Sequence, residues 1–206
     1  MWKDLPDEWK MAYEEMWTAF KQGSVPIGAV LYDKSGNLII REHNRMKESG
    51  IVNRRISHAE LNALLRLDTS KYDYRDVKLY TTMEPCPMCM GTAVMTGIRH
   101  LDYAARDPYC GSVHWCMDDP YVKTKELTYT LIGGELETVQ IVIQSYFELK
   151  NLDEGKSDKV LQRFDEMNSM AVNVAKKYYQ ERVLDTYAEK EADISTVFDM
   201  ILSAVG

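Results

Sequence analysis

Apolar positions near the start of the chain recur first at helical spacing and then in short runs. Trp9, Ala12, Tyr13, Met16 and Phe20 predict an amphipathic helix over Pro6–Lys21. Gly23, Ser24 and Pro26 break it. Val25–Tyr32 is mostly apolar, Asp33–Asn37 is a polar turn containing Gly36, and Leu38–Ile40 is apolar again, which predicts a β-hairpin. Residues 41–56 are polar and irregular. Leu61, Leu64 and Leu65 predict a helix from near Ser57, with Ser57 and Glu60 spaced as a capping box. Val77–Thr82 reads as a strand, Pro87–Gly97 as a helix rich in small residues and Met, and the segment around Leu101 and Tyr103 as a strand. Between Arg106 and Lys125 the periodicity fails, and Asp107, Pro108, Gly111, Asp118, Asp119 and Pro120 predict a long loop. Leu127–Ile132 is a further strand, Gly133-Gly134 a turn, and Val139–Leu149 a helix or another buried strand. This order predicts an α/β sheet with parallel crossovers.

Beyond residue 150 the pattern changes. Val160, Phe164, Met167, Ala171, Val174 and Tyr178 form one apolar stripe, and Ile194, Phe198, Ile201 and Val205 a second. The chain is therefore expected to divide into residues 1–150 and a helical extension over 151–206. With 206 residues, 45% of them hydrophobic, the chain has ample core-forming material, which excludes wholesale disorder. A net charge of −7 disfavours broad, non-specific attraction to nucleic acid. The longest stretch without a charge, Pro85–Ile98, is too short for the ~20 residues that span a bilayer. Lys3, Asp4, Asp7 and Glu8 interrupt any leader-like apolar run. A cytoplasmic protein without a membrane partner is expected, and there four cysteines are better explained as metal ligands or free thiols than as disulfides.

Two clusters carry candidate chemistry. Ser57-His58-Ala59-Glu60 opens one predicted helix, and Pro85-Cys86-Pro87-Met88-Cys89 lies between a strand and the next helix. One His and two Cys in C-x2-C spacing are good zinc ligands, and three protein ligands leave an open position suited to catalysis. A helix start also favours thiolate. Taken singly, His58 reads more readily as an ordinary surface or core histidine than as a ligand. The C-x2-C pair taken alone fits a redox pair or half of a four-cysteine site. Cys110, His114 and Cys116 supply a weaker candidate for a second metal site.

The joint pattern is more specific. Val25-Pro26-Ile27-Gly28-Ala29-Val30, His43-Asn44-Arg45, His58-Ala59-Glu60, Thr82-Met83-Glu84-Pro85-Cys86-Pro87-Met88-Cys89 and Ala104-Ala105-Arg106-Asp107 occur in the order seen in one family. Across roughly residues 6–150 the chain resembles the cytidine deaminase-like superfamily, most closely its branch of tRNA adenosine deaminases and guanine and nucleoside deaminases. The resemblance implies a three-layer α/β/α fold with a five-stranded mixed sheet, to which the helical extension is added. It implies Zn2+ held by His58, Cys86 and Cys89, with Glu60 as proton shuttle rather than ligand. It also implies substrate contacts from Asn44, Gly28, Ala29, Glu84, Pro85 and Asp107. Asn44 fits a turn equally well, Gly28 and Ala29 a tight strand, and Asp107 a loop cap.

The chain departs from the tRNA enzymes after Asp107. Residues 108–121 contain no Lys or Arg, and the extension holds eleven acidic against seven basic residues. Tyr109 and Trp115 are candidates to stack on a base, or else to pack the loop on the core. The expected activity is therefore hydrolytic deamination of a free nucleobase, nucleoside or nucleotide, with ammonia released. The alternative is a tRNA-specific adenosine deaminase acting at the wobble position, with Arg45, Arg54 and Arg55 as phosphate contacts. A catalytically idle zinc-binding subunit is disfavoured by the intact Glu60. A homodimer is expected, paired through Met90, Ala93, Val94 and Gly97.

Overall fold

The computed structural model describes residues 1–205. Helix α1 (Asp7–Lys21) follows Pro6, whose fixed φ suits the residue before a helix, and buries Trp9, Ala12, Tyr13, Met16 and Phe20. Strand β1 (Gly28–Tyr32) is buried along its whole length and pairs antiparallel with β2 (Leu38–His43). Gly28 is required by close approach, because a Cβ there would lie 2.1 Å from the carbonyl oxygen of Ala12 in α1. Helix α2 (Ala59–Leu65), strand β3 (Lys78–Met83), helix α3 (Pro87–Thr96) and strand β4 (His100–Ala105) follow. Two short helices, α4 (Trp115–Asp118) and α5 (Pro120–Lys123), precede β5 (Thr128–Leu131). The chain continues through α6 (Gly134–Asp153), α7 (Lys159–Gln180), α8 (Val183–Glu189) and α9 (Ile194–Val205).

The five strands form one mixed sheet in the order β2-β1-β3-β4-β5. β1 runs antiparallel to both β2 and β3, whereas β3, β4 and β5 are parallel. One face packs against α2 and α3 through Ala59, Ala63, Met90, Ala93 and Val94. The other packs against α1 and α6, and the same buried cluster continues into α7, α8 and α9 through Phe164, Leu184 and Phe198. Polar ties reinforce that continuity. The Trp17 indole donates to the Ala192 carbonyl at 2.8 Å, and Tyr146 of α6 donates to Asp185 of α8 at 2.9 Å. The α/β/α architecture with added C-terminal helices is the expected one.

Several local expectations are corrected. Val139–Leu149 belongs wholly to a helix, since α6 begins at Gly134. The long loop contains α4 and α5; Asp119 caps α5 by accepting from the amides of Tyr121 and Val122. The predicted capping box is not formed: His58, not Ser57, stands at the N-cap of α2, and Ser57 donates instead to Asn62. The stripe along α7 is not continuous. Asn168 leaves helical geometry (φ −149°, ψ 76°), and its side chain accepts from Ala171 N at 3.1 Å, capping the second half of the helix. The buried side of the helix is Leu161, Phe164, Ala171, Val172, Ala175 and Tyr178, while Val160, Met167 and Val174 lie at its margin. Met90, Ala93 and Val94, expected to pair with a second copy, are consumed by the chain's own core.

Candidate metal and active site

Two helix starts bring the predicted ligands together. His58 is the N-cap residue of α2, Cys86 is the N-cap residue of α3, and Cys89 lies in the first turn of α3. The packing of α2 and α3 on the same face of the sheet sets the two helix starts side by side. Nδ1 of His58 lies 3.5 Å from Sγ of Cys86 and 3.6 Å from Sγ of Cys89. A tetrahedral zinc with bonds of ~2.3 Å to sulfur and ~2.0 Å to nitrogen separates such atoms by about 3.5 Å. The three donor atoms all lie within 4.8 Å of one another, and among the described residues they are the group of this kind. Cys110, His114 and Cys116 do not assemble; the Cys110 thiol donates to Asp107 at 3.0 Å.

The electrostatics agree with a cation site. Hydrogen bonding from Cys89 and His58 pulls the Cys86 thiol down to about 4 against its burial. The same neighbouring sulfur, together with burial, pushes Cys89 far up. Hydrogen bonding to Cys86 raises the His58 imidazole. Two sulfurs this close cannot both ionise unless a positive charge sits between them, which is what a zinc ion supplies. Beside them Glu60 is 3% exposed, and burial raises its carboxyl to about 7. Its Oε2 receives the Cys89 thiol at 3.4 Å.

A cavity of about 160 Å³ opens onto His58, Glu60 and Cys86. Glu84, Asp107 and Tyr109 line it, as expected from the sequence. Glu84 and Asp107 also build its rim. Glu84 accepts from the amides of Asp107 and Val113, and Asp107 accepts from those of Tyr109 and Cys110. Five expected contacts, Gly28, Ala29, Asn44, Pro85 and Trp115, are not part of its lining. Gly28 packs on α1, Ala29 is fully buried under α2, and the wall near them is formed by Val25 and Ile27. Asn44 is 1% exposed, and its side-chain oxygen is taken by Met46 N at 3.0 Å in a local turn. Trp115 begins α4 and packs against the core on the α2–α3 side, away from the cavity. Pro85 contributes its carbonyl to Ser112 N, bracing the rim. The sequence reading missed Gln144 and Glu148 of α6 and singled out Phe164 and Val160 of α7 only as stripe residues; all four line the cavity. The available signal was the polar series Gln140, Gln144, Glu148 at i,i+4 spacing inside an apolar helix.

Comparison with known proteins agrees with this geometry. The family model for the cytidine and deoxycytidylate deaminase zinc-binding region matches residues 6–105. A tRNA-specific adenosine deaminase of Rickettsia felis is 32% identical over 108 residues, which cover 50% of this chain and 72% of the relative. The chain belongs to this deaminase family. A second family member, the tRNA-specific adenosine deaminase of Bacillus subtilis (strain 168), is 39% identical over 106 residues, covering 50% of this chain and 62% of the relative. The chain thus spans about three fifths of that deaminase's length. A solved structure from work on A-to-I editing by tRNA:A34 deaminases is 30% identical with a TM-score of 0.51, and the match covers 62% of this chain and 97% of that one. No helix among the described residues is long and apolar enough to cross a membrane.

Proposed function

We propose that the chain is a zinc-dependent hydrolytic deaminase that replaces the exocyclic amine of a nucleobase by a carbonyl and releases ammonia. The observation that carries this reading is the buried carboxyl of Glu60 beside the His58–Cys86–Cys89 group, at the floor of a base-sized cavity. A bound zinc ion supplies activated water and a positive charge. His58, Cys86 and Cys89 would hold it, and Glu60 moves the protons. Its carboxylate accepts a proton from the attacking water and delivers it to the ring nitrogen next to the attacked carbon. The other proton of the added water passes from the newly attached hydroxyl through the same carboxylate to the departing amine. The new bond is carbon to oxygen, the broken bond carbon to nitrogen, and the carboxylate is regenerated.

For the substrate class, the relatives support an adenosine within tRNA, since two matched proteins carry that name at 32% and 39% identity. The exposed Arg54 and Arg55 just before His58 suit phosphate contacts in that reading. A free base or nucleoside is favoured by a different observation: Val160 and Phe164 of α7 wall the cavity, whose lining includes no Lys or Arg. The deciding experiment compares inosine formation in an anticodon stem-loop with ammonia release from adenine, guanine, cytosine and their nucleosides. Glu60→Ala is the control, expected to keep zinc and the wild-type melting temperature while losing ~10²–10⁴-fold in rate. Retention of more than a tenth of the wild-type rate by that variant would remove Glu60 from the mechanism.

A further inference from the structure

One wall of the cavity holds a buried polar atom with nothing to bond. Gln144 of α6 is 4% exposed, lines the cavity, and its Oε1 has no hydrogen-bond partner. The other unpartnered buried side-chain atoms among the described residues, Gln140 Oε1 and Ser145 Oγ, belong to residues that do not line the cavity. A buried acceptor left unpaired is costly, so an orphan on a residue that lines a ligand cavity points to a donor on the ligand.

The orientation of this amide is fixed by its neighbours. Gln144 Nε2 donates to Glu148 Oε1 at 2.8 Å, and Asn151 Nδ2 donates to Glu148 Oε2 at 3.0 Å. The Asn151 amide is itself set, because its Oδ1 accepts from the Lys156 ammonium at 2.6 Å. Both side-chain amide donors, Gln144 Nε2 and Asn151 Nδ2, are therefore directed at the Glu148 carboxylate. Burial raises the Glu148 carboxyl, while its bonds from Asn151 and Gln144 and the nearby Lys156 favour the ionised form; against that carboxylate a turned Gln144 amide would set oxygen to oxygen with no proton between them. Oε1 is thus held free as an acceptor.

We infer that Gln144 is a specificity-determining residue, whose side-chain oxygen accepts a ring N–H of the substrate base while Glu148 and Asn151 position it. This rests on the deaminase reading and narrows its substrate. The base must carry an N–H besides the amine that is removed. Free adenine, cytosine and guanine all have one, because the nitrogen that bears the sugar in a nucleoside is protonated in the free base. Guanine has a second at N1. The base of an adenosine within RNA has none. The acceptor accordingly favours a free base, or a guanine-type ring, over the adenosine of an anticodon.

The test uses the full-length zinc-loaded protein carrying Glu60→Ala, so that bases bind without turnover. Calorimetric titration compares adenine, guanine and cytosine with derivatives methylated singly at each ring N–H. Each is measured with Gln144 and with Gln144→Leu, which keeps the side-chain bulk and removes the acceptor. With Gln144 present, methylation at one position should weaken binding about tenfold or more. In Gln144→Leu that ratio should fall to near one. A ratio that survives in Gln144→Leu reflects crowding by the methyl group and overturns the inference. Equal binding of every methylated and unmethylated base in the Gln144 form overturns it as well. Asn151→Leu should reduce the same ratio without touching the cavity, because Glu148 then loses one of the groups that hold it. Thermal melting of each variant reports whether the fold survives. Failure of the deaminase reading shows separately, as wild-type protein that releases no ammonia from any base, nucleoside or stem-loop.

Discussion

Single atoms set the tolerances around the cavity. A Cβ on Gly111 would lie 2.4 Å from the Glu84 carboxyl carbon and 2.6 Å from the Asp107 carbonyl oxygen, so Gly111→Ala must push aside the carboxylate that braces the rim. We expect a loss of about 1–3 kcal/mol in urea unfolding, typical of overpacking, together with reduced turnover because Asp107 and Tyr109 move with the rim. His43 gives a second residue-scale prediction. Its ring bonds Glu15 and Glu48, each at 2.7 Å; Arg41 pairs with Glu15, and Arg45 with Glu48. Burial alone would lower the imidazole, but the two carboxylates outweigh it and the pKa stands above 6.5. A raised folded pKa stabilises fully below the unfolded value of 6.5 and ceases to do so as pH rises through the folded value. Burial works against Glu15 too, yet His43 and Arg41 hold it below 4.5, so its contribution is present above 4.5 and fades as pH falls through the folded value. Wild-type protein should therefore lose stability between pH 6 and pH 8.5 more steeply than His43→Gln, as read by chemical unfolding across that range. Parallel curves for the two proteins would contradict the argument.

At the scale of elements, the break in α7 is the most testable departure from regularity. Asn168 satisfies the amide of Ala171 at the start of the second half of the helix. Asn168→Ala should cost about 0.5–2 kcal/mol, as loss of an N-cap does, and circular dichroism should show helix content nearly unchanged. The same break explains what the sequence could and could not tell. Strands β1, β3 and β4 were legible as short apolar runs set off by Gly or Pro nearby, α1 by its helical period, and α3 by small residues and Met between Pro87 and Gly97. The stripe along α7 was legible as helix, but the break at Asn168 was not, since a mid-helix Asn reads the same whether it caps or faces solvent. The metal group was legible because His58, Cys86 and Cys89 are local motifs at two helix starts. The far wall was only half legible: the i,i+4 polar series marks one face of α6, but that face and Phe164 reach the cavity through the packing of α6 and α7, which is non-local. Asn44 and Trp115 failed for the converse reason. Their types suit base recognition, but a local turn and a core cluster claim them first.

For the whole molecule, metal and fold are coupled. The ligands come from the starts of α2 and α3, which both pack on one face of the sheet, so an ion that binds only the folded chain stabilises the pair. Chelation should lower the melting temperature, with a free-energy loss of about 2.7 kcal/mol if zinc had stood at 100 times its dissociation constant. Cys86→Ser should melt near the chelated value and respond little to chelator; an unchanged chelator response in that variant would argue for a different ligand set. Phe164 joins stability to substrate choice in another way. It is 1% exposed within the cluster that ties the extension to α1 and α6, and it is also a wall of the cavity. Removing so large a buried ring typically costs ~3–5 kcal/mol, a large part of the ~5–15 kcal/mol that keeps a domain folded. Mutational drift toward bulkier substrates is therefore barred on that side, since most chains that took the step would no longer fold. Tyr109, 52% exposed on the opposite rim, carries no such burden. Across descendants of this sequence, new substrate ranges should arise by change at position 109, while position 164 stays aromatic.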